Sequence, residues 1–228
     1  MNWFWNAITS GIGRKVIMSL TGLFLILFLV VHLAGNLQLL KSDGGEAFNV
    51  YSHFMANNPL IQLISKGNFF FILLHIFVSL TLVIRNRRAR PIGYKVSSGS
   101  ANSSWPSRSM AILGTLILIF IVLHLYGFWY QFKNGALEDI EIGGVVMGNG
   151  YAWVVAAYQN PAIVAFYVIS MAVLGFHLWH GFASAFQSLG LNHPKYNGLI
   201  TGLGKLYAIA VPVLYAVIPL VLYIKSLS

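Results

Sequence analysis

Seven histidines occur among 228 residues, and four of them, His32, His75, His124 and His177, each stand inside a different long apolar run. A neutral imidazole carries one donor and one acceptor nitrogen, and hydrocarbon satisfies neither. Intramembrane histidines are therefore rare and point to function. One per run on four runs is more than packing explains. Imidazole is also the commonest protein ligand for metals. Taken two at a time, the four histidines supply two pairs of axial ligands, with a metal centre held between the members of each pair.

The runs that position them cover about 16–40, 59–84, 110–132, 160–189 and 206–224. Each is long enough for the ~20 residues of helix that cross a hydrocarbon core. The chain is 57% hydrophobic and 8% charged, against about 25% charged residues in soluble domains. The composition implies an all-α integral membrane protein, one domain over 1–228 with five transmembrane helices and a four-helix bundle from spans one to four. Asn58-Pro59 and Asn160-Pro161 read as helix caps followed by a first-turn proline. Pro212 and Pro219 predict kinks in the fifth span. The first run follows Arg14-Lys15 but is too long for a signal peptide and lacks a small-x-small cleavage site.

Absence of cysteine rules out thiolate-held iron–sulfur clusters, disulfides and covalent C-x-x-C-H haem attachment in this chain. No soluble catalytic domain fits between the runs. The net charge of +9 comes from basic residues flanking the spans. That pattern serves topology and lipid headgroups rather than nucleic acid. With the N-terminus inside, the inner segments hold Arg14, Lys15, Arg85, Arg87, Arg88, Arg90, Lys95, Arg108, Lys195 and Lys205. The outer side holds Lys41, Lys66, Lys133 and Lys225, with all five acids. The positive-inside rule gives N-terminus in, C-terminus out. Residues 90–109 form a polar inner loop. Residues 134–159 form a longer outer loop whose apolar stretch 151–158 is expected on the surface. Residues 2–13, with Trp3, Phe4 and Trp5, read as an interfacial anchor.

Depth then sorts the histidines. His32 lies 17 residues after Lys15 and His124 lies 16 after Arg108, so both sit about 25 Å from the inner charges. They share a local pattern, His32-Leu33-Ala34-Gly35 and His124-Leu125-Tyr126-Gly127, on spans that run the same way. His75 lies 10 residues before Arg85, and His177 lies 13 before Gly190. The result is an outer pair, His32 with His124, and an inner pair, His75 with His177. Bundles build cofactor sites from facing side chains. Two imidazole pairs at two heights suit two six-coordinate b-type haems, which transfer electrons rather than bind ligands. Four ligands at two depths cannot converge on one tetrahedral zinc. His180, three residues after His177, is a substitute ligand or a hydrogen-bond partner. His53 falls in the outer segment and His193 in an inner turn, both as polar surface groups. A haem-free transporter using histidines as a proton relay is the rival of a different class. It should show a polar, broken-helix path with matching halves.

The chain resembles the cytochrome b membrane anchor of succinate:quinone oxidoreductases (succinate dehydrogenase or fumarate reductase), in its five-helix, di-haem form. The likeness covers nearly the whole chain. It rests on His32-Leu33-Ala34-Gly35-Asn36, on Gly45-Glu46-Ala47-Phe48-Asn49 with Ser52-His53-Phe54-Met55, on Phe176-His177-Leu178-Trp179-His180-Gly181-Phe182 with Ser184-Ala185-Phe186-Gln187, and on the ending Leu189-Gly190-Leu191-Asn192-His193-Pro194-Lys195.

The resemblance implies axial ligation by His32, His124, His75 and His177. It implies an FAD flavoprotein and an iron–sulfur subunit as partners, docked on the inner loops of a bacterial cytoplasmic membrane. It also implies a quinone, menaquinone for the di-haem form, as the redox partner near the outer haem. Glu46 matches the carboxylate that handles protons there. Arg14, Lys15 and Ser19, and Trp129 at the other end, are candidates to face haem propionates. Some fumarate reductases of this type carry a glutamate two residues before the fourth-span ligand. This chain has Gly175 there, which favours succinate oxidation over fumarate reduction. A di-haem cytochrome of another quinone-linked dehydrogenase is the rival within the class.

Overall fold

Asn58 and Asn160 start two of the long helices as their side chains dictate. The Asn58 Oδ1 accepts from the backbone N–H groups of Leu60 and Ile61 at 3.0 and 3.2 Å, and the Asn160 Oδ1 accepts from Ala162 at 2.9 Å. In each case the following proline takes the first helical position, where its missing N–H costs nothing. The computed structural model describes residues 2–89, 104–135 and 137–227. Most of the polar loop expected over 90–109, with Arg90 and Lys95, lies outside these residues.

The helices in chain order are α1 (Trp3–Thr9), α2 (Gly11–Asn36), α3 (Glu46–Asn57), α4 (Pro59–Arg88), α5 (Trp105–His124), α6 (Gly150–Tyr158), α7 (Pro161–Ser188) and α8 (Pro194–Ser226). A 3₁₀ turn, Leu37–Leu40, extends α2. A π-helical turn, Leu125–Tyr130, and a last α turn, Gln131–Lys133, extend α5. With these extensions, α2, α4, α5, α7 and α8 are the five described helices long and apolar enough to cross a membrane. The protein is an all-helical, multi-pass membrane protein.

Three span starts move, the first to Gly11 rather than 16. The third helix begins at Trp105 rather than 110, with Pro106 in its first turn. The fifth begins at Pro194 rather than 206. There the His193 Nδ1 accepts from the Lys195 N–H at 3.2 Å and caps the helix. Gly198, Gly202 and Gly204 look like loop residues in the sequence, yet Gly204 lies where a Cβ would meet the Phe182 ring. Pro212 and Pro219 sit inside one uninterrupted helix.

Packing sets the order of the bundle. α4 lies along α2, α2 touches α7, and α5 lies along α7, while α4 and α5 make no comparable contact. The four therefore surround a common centre with α2 diagonal to α5 and α4 diagonal to α7. α8 packs along α7 and against α2 from outside. The Tyr207 and Tyr215 hydroxyls of α8 donate to the Ile26 and Leu29 carbonyls of α2 at 2.6 and 2.7 Å. Lipid-facing surfaces are apolar, as in Leu63, Phe70 and Phe77 at seven-residue spacing on α4, all exposed.

At the end opposite the N-terminus, α3, α6 and a hairpin of β1 (Asp139–Ile142) with β2 (Val145–Gly148) form a cap. The stretch 151–158, expected on the surface, is instead α6, with Val154 and Tyr158 buried in the main core. Asn49 holds the cap together. It is fully buried, its Nδ2 donates to the Asn149 Oδ1 at 3.1 Å, and its Oδ1 accepts from the Tyr151 N–H at 2.9 Å. Asn149 in turn caps α6 through Ala152. Gly45, at φ +93°, packs where a Cβ would collide with the Tyr151 ring. Replacing Asn49 with leucine removes both bonds and orphans a buried N–H. The expected cost is about 2–3 kcal/mol, read as faster amide exchange in 149–158 with the spans unaffected. Unchanged exchange there would refute this role for Asn49.

Candidate functional site

The two imidazole pairs meet on the two diagonals of the bundle. His32 of α2 faces His124 of α5 with ring centroids 5.9 Å apart and planes at 82°. His75 of α4 faces His177 of α7 at 6.5 Å and 65°. These are the pairs that depth predicts. His180 makes no ring contact with His75 and lies half-buried one turn away. Along α2, His75 packs at Thr21 and Gly22, ten to eleven residues below His32, so the pairs are separated by about 15 Å along the bundle.

The second nitrogens are handled differently from ring to ring. The His75 Nδ1 lies 2.9 Å from the Thr21 Oγ1. That hydroxyl already sits 2.9 and 3.0 Å from the Ile17 and Met18 carbonyls. Its one proton goes to a carbonyl, so toward His75 it can only accept. The network thus assigns the proton to Nδ1 and leaves the lone pair on Nε2. The His124 Nδ1 lies 3.1 Å from the Tyr167 hydroxyl, which likewise engages one nitrogen. His32 is held from Asn36, whose Nδ2 donates to the His32 carbonyl at 2.8 Å and lies 3.4–3.5 Å from both ring nitrogens. The His177 Nδ1 is buried with no partner among the described residues. For His75 and His124 one ring nitrogen is engaged by a neighbour, as in metal-bound histidines.

The space suits a metal cofactor. An imidazole nitrogen bound to a first-row metal lies about 2.0 Å from it and about 1.1 Å from its own ring centre. Two imidazoles on opposite sides of one metal then have centroids about 6.2 Å apart. The observed 5.9 and 6.5 Å bracket that value. Anything flat held between His75 and His177 would present its edges to α2 and α5. There the residues are Gly22, where a Cβ would stand 3.4 Å from the His75 ring, and Gly114, where it would stand 4.0 Å from the His177 ring. Around the other pair, Phe28 stacks on His32 and Phe120 on His124, at 5.2 and 5.4 Å.

Other predicted positions fall as follows. Glu46 is exposed at the start of α3 and lines an open cleft of about 560 Å³ with Gln38, Lys41, Val50, Tyr51 and Phe54. Ser19 is buried and donates to the Lys15 carbonyl at 2.9 Å. Trp129 packs on Phe69 at 5.1 Å and joins α5 to α4 at the cap end. His53 is half-buried on α3. Gly175 has the Ala208 carbonyl 3.1 Å from where a Cβ would be. Pro212 has no N–H to bond that carbonyl, and the bare Gly175 lets α7 close over it.

Sequence reasoning missed Thr21, Gly22, Gly114, Tyr167 and Asn68. The glycines had a signal, since each lies ten residues before a histidine of the His-Leu-x-Gly pattern. Asn68 had one too, a polar residue seven before His75 on the same face, buried with its Oδ1 unpartnered. Thr21 and Tyr167 had none. Comparison with known protein families, curated proteins and solved structures finds no match.

Gly22→Leu places a branched chain against the His75 ring and should cost about 1–3 kcal/mol of overpacking, seen as a lowered melting temperature in detergent. An unchanged melting temperature would mean that Gly22 adjoins open space.

Proposed function

We propose that this chain is the di-haem cytochrome b anchor of a succinate:quinone oxidoreductase. The observation that carries the haem reading is the pair of diagonal imidazole contacts, each near the spacing of a bis-imidazole metal and each on a different level. His32 and His124 would hold one haem b, and His75 and His177 the other. Bound there, the haems would supply one-electron transfer. The chain's own residues do the rest. Thr21 and Tyr167 orient His75 and His124 through Nδ1, Gly22 and Gly114 leave room beside the inner pair, and the phenylalanines and the cap exclude water.

Supporting the wider assignment are the motifs shared with that family and the disposition of charge. The basic end, with Arg14, Lys15, Arg85, Arg87, Arg88, Arg108, Lys195 and Lys205, suits the inner face of a bacterial cytoplasmic membrane. There it would dock an iron–sulfur subunit and, through it, an FAD flavoprotein. The N-terminus is then inside and the C-terminus outside. The redox partner would be a quinone, menaquinone by the di-haem resemblance. The cleft beside Glu46 lies near the outer pair, where that carboxylate can exchange protons with water. Succinate oxidation is the favoured direction. A glutamate at position 175 would have to displace the Ala208 carbonyl and Pro212, so this packing has no place for the acid found in some fumarate reductases.

A reduced-minus-oxidised spectrum should show b-type absorption with two haems per chain. His32→Ala, His75→Ala, His124→Ala and His177→Ala should each lower the stoichiometry, while His180→Ala should keep both haems. No b-type absorption, or full haem content in His75→Ala and His124→Ala, would overturn the di-haem reading. Copurification of a flavoprotein with succinate dehydrogenase activity is expected. A different dehydrogenase in its place would move the chain to another quinone-linked cytochrome.

A further inference from the structure

The inner imidazole pair is supported on one side only, and the difference traces to one position on each of two matching helices. Thr21, Gly22 and His32 of α2 correspond in spacing to Leu113, Gly114 and His124 of α5. Both glycines face the inner pair at the same ring atom. A Cβ on Gly22 would stand 3.4 Å from the His75 Cε1, and one on Gly114 would stand 4.0 Å from the His177 Cε1. By this correspondence Leu113 takes the place beside His177 that Thr21 takes beside His75. Thr21 is buried, with its hydroxyl 2.9 Å from the His75 Nδ1. Leu113 is also buried but has no polar group, and the His177 Nδ1 lacks a partner among the described residues. The Thr21 hydroxyl proton is committed to the Ile17 or Met18 carbonyl, at 2.9 and 3.0 Å. Toward the imidazole it accepts, so the His75 Nδ1 carries the hydrogen. An Nδ1–H drawn toward an acceptor makes the Nε2 lone pair more electron-rich. A more basic ligand favours the ferric over the ferrous state, and hydrogen bonding behind the ligand is one lever on haem potential.

We propose that Thr21 lowers the reduction potential of the inner haem by accepting a hydrogen bond from the His75 Nδ1–H, and that Leu113 withholds the same effect from His177. The proposal rests on the di-haem reading and adds to it the residue that tunes one of the two levels. Thr21 is a positioning residue, since it acts through the His75 ring. Reduction adds one electron to ferric iron and moves no proton, because Nδ1 keeps its hydrogen in both states. The Met18 carbonyl is the alternative acceptor for that hydrogen, and it is the group that would replace Thr21 if the hydroxyl were not the one that matters.

The test is a redox titration of the full chain with its haems bound, in lipid nanodiscs, followed by visible absorption. Haem content and the ferric low-spin EPR signal are recorded on the same samples. The inner wave is the one missing from His75→Ala and kept in His124→Ala. Thr21→Val keeps the branched Cβ and removes only the hydroxyl. At a fixed ambient potential it should raise the ferrous-to-ferric ratio of the inner haem about 5- to 10-fold, which is about +40 to +60 mV for one electron. The outer wave and the haem content should stay as they are. Thr21→Ser should restore the wild-type inner wave. Leu113→Thr, which offers His177 a hydroxyl, should move that wave the opposite way. An inner wave that is unmoved or lowered in Thr21→Val would overturn the proposal, as would a serine variant that behaves like valine. An unmoved wave in Leu113→Thr would overturn the part assigned to Leu113. Failure of the haem reading would show instead as absent b-type absorption in the wild-type sample, before any titration.

Discussion

A buried imidazole has two nitrogens and no water to turn to, and this bundle arranges itself around that difficulty four times. Leaving such a nitrogen unpaired costs about 1–3 kcal/mol, so a wall of the bundle engages one nitrogen where it can and the centre is left to the other. Thr21 does this for His75 and Tyr167 for His124. The Thr21 case fixes the tautomer as well, because the hydroxyl proton is committed to a backbone carbonyl. The rings meet in pairs across the diagonals, so α2 stands opposite α5 and α4 opposite α7. Among the described residues α4 and α5 pack together less than the other neighbouring pairs, which leaves that side of the bundle the more open.

The fifth helix answers a second problem. The four helices around the histidines leave one side loosely packed, and in a bilayer no hydrophobic force pulls helices together. α8 supplies the contact that the other four give up. Its Tyr207 and Tyr215 reach α2 carbonyls while its body lies along α7. It thereby joins one helix from each diagonal. Proline inside α8 helps, since the carbonyl left free by Pro212 marks where Gly175 lets α7 come close.

Much of this was readable from the chain, for reasons that differ by element. Spans and histidine depths were legible because both are one-dimensional: apolar length and distance from the basic residues. Pairing of His32 with His124 followed from matching depths alone. The start of α8 was misplaced because the continuous apolar run begins only at Leu206, whereas the helix starts at Pro194 and Gly204 within it admits the Phe182 ring of α7. The stretch 151–158 was misplaced because its burial depends on α3 and α8, elements far away in sequence. The π-helical turn after His124 was invisible for the same reason. The carbonyls of Gly127 and Tyr126 are taken by the Trp153 indole N–H and the Gln131 amide, at 3.0 and 3.2 Å, and nothing local announces those partners.

The two halves of the bundle are near copies, and where they differ is informative. α2 carries Thr21, Gly22 and His32, and α5 carries Leu113, Gly114 and His124 at the same spacings. Both glycines sit beside the inner pair. Thr21 gives His75 a hydroxyl, whereas Leu113, buried at the matching position, can give His177 nothing, and the His177 Nδ1 is the one left without a partner. A hydrogen bond at Nδ1 raises the basicity of an imidazole at Nε2, so the two members of the inner pair differ by the identity of a single residue. The outer pair is unequal in its own way, with Tyr167 on His124 and only the long contacts of Asn36 on His32. The two imidazole pairs, built on the same four-histidine plan, therefore sit in different hydrogen-bonding surroundings.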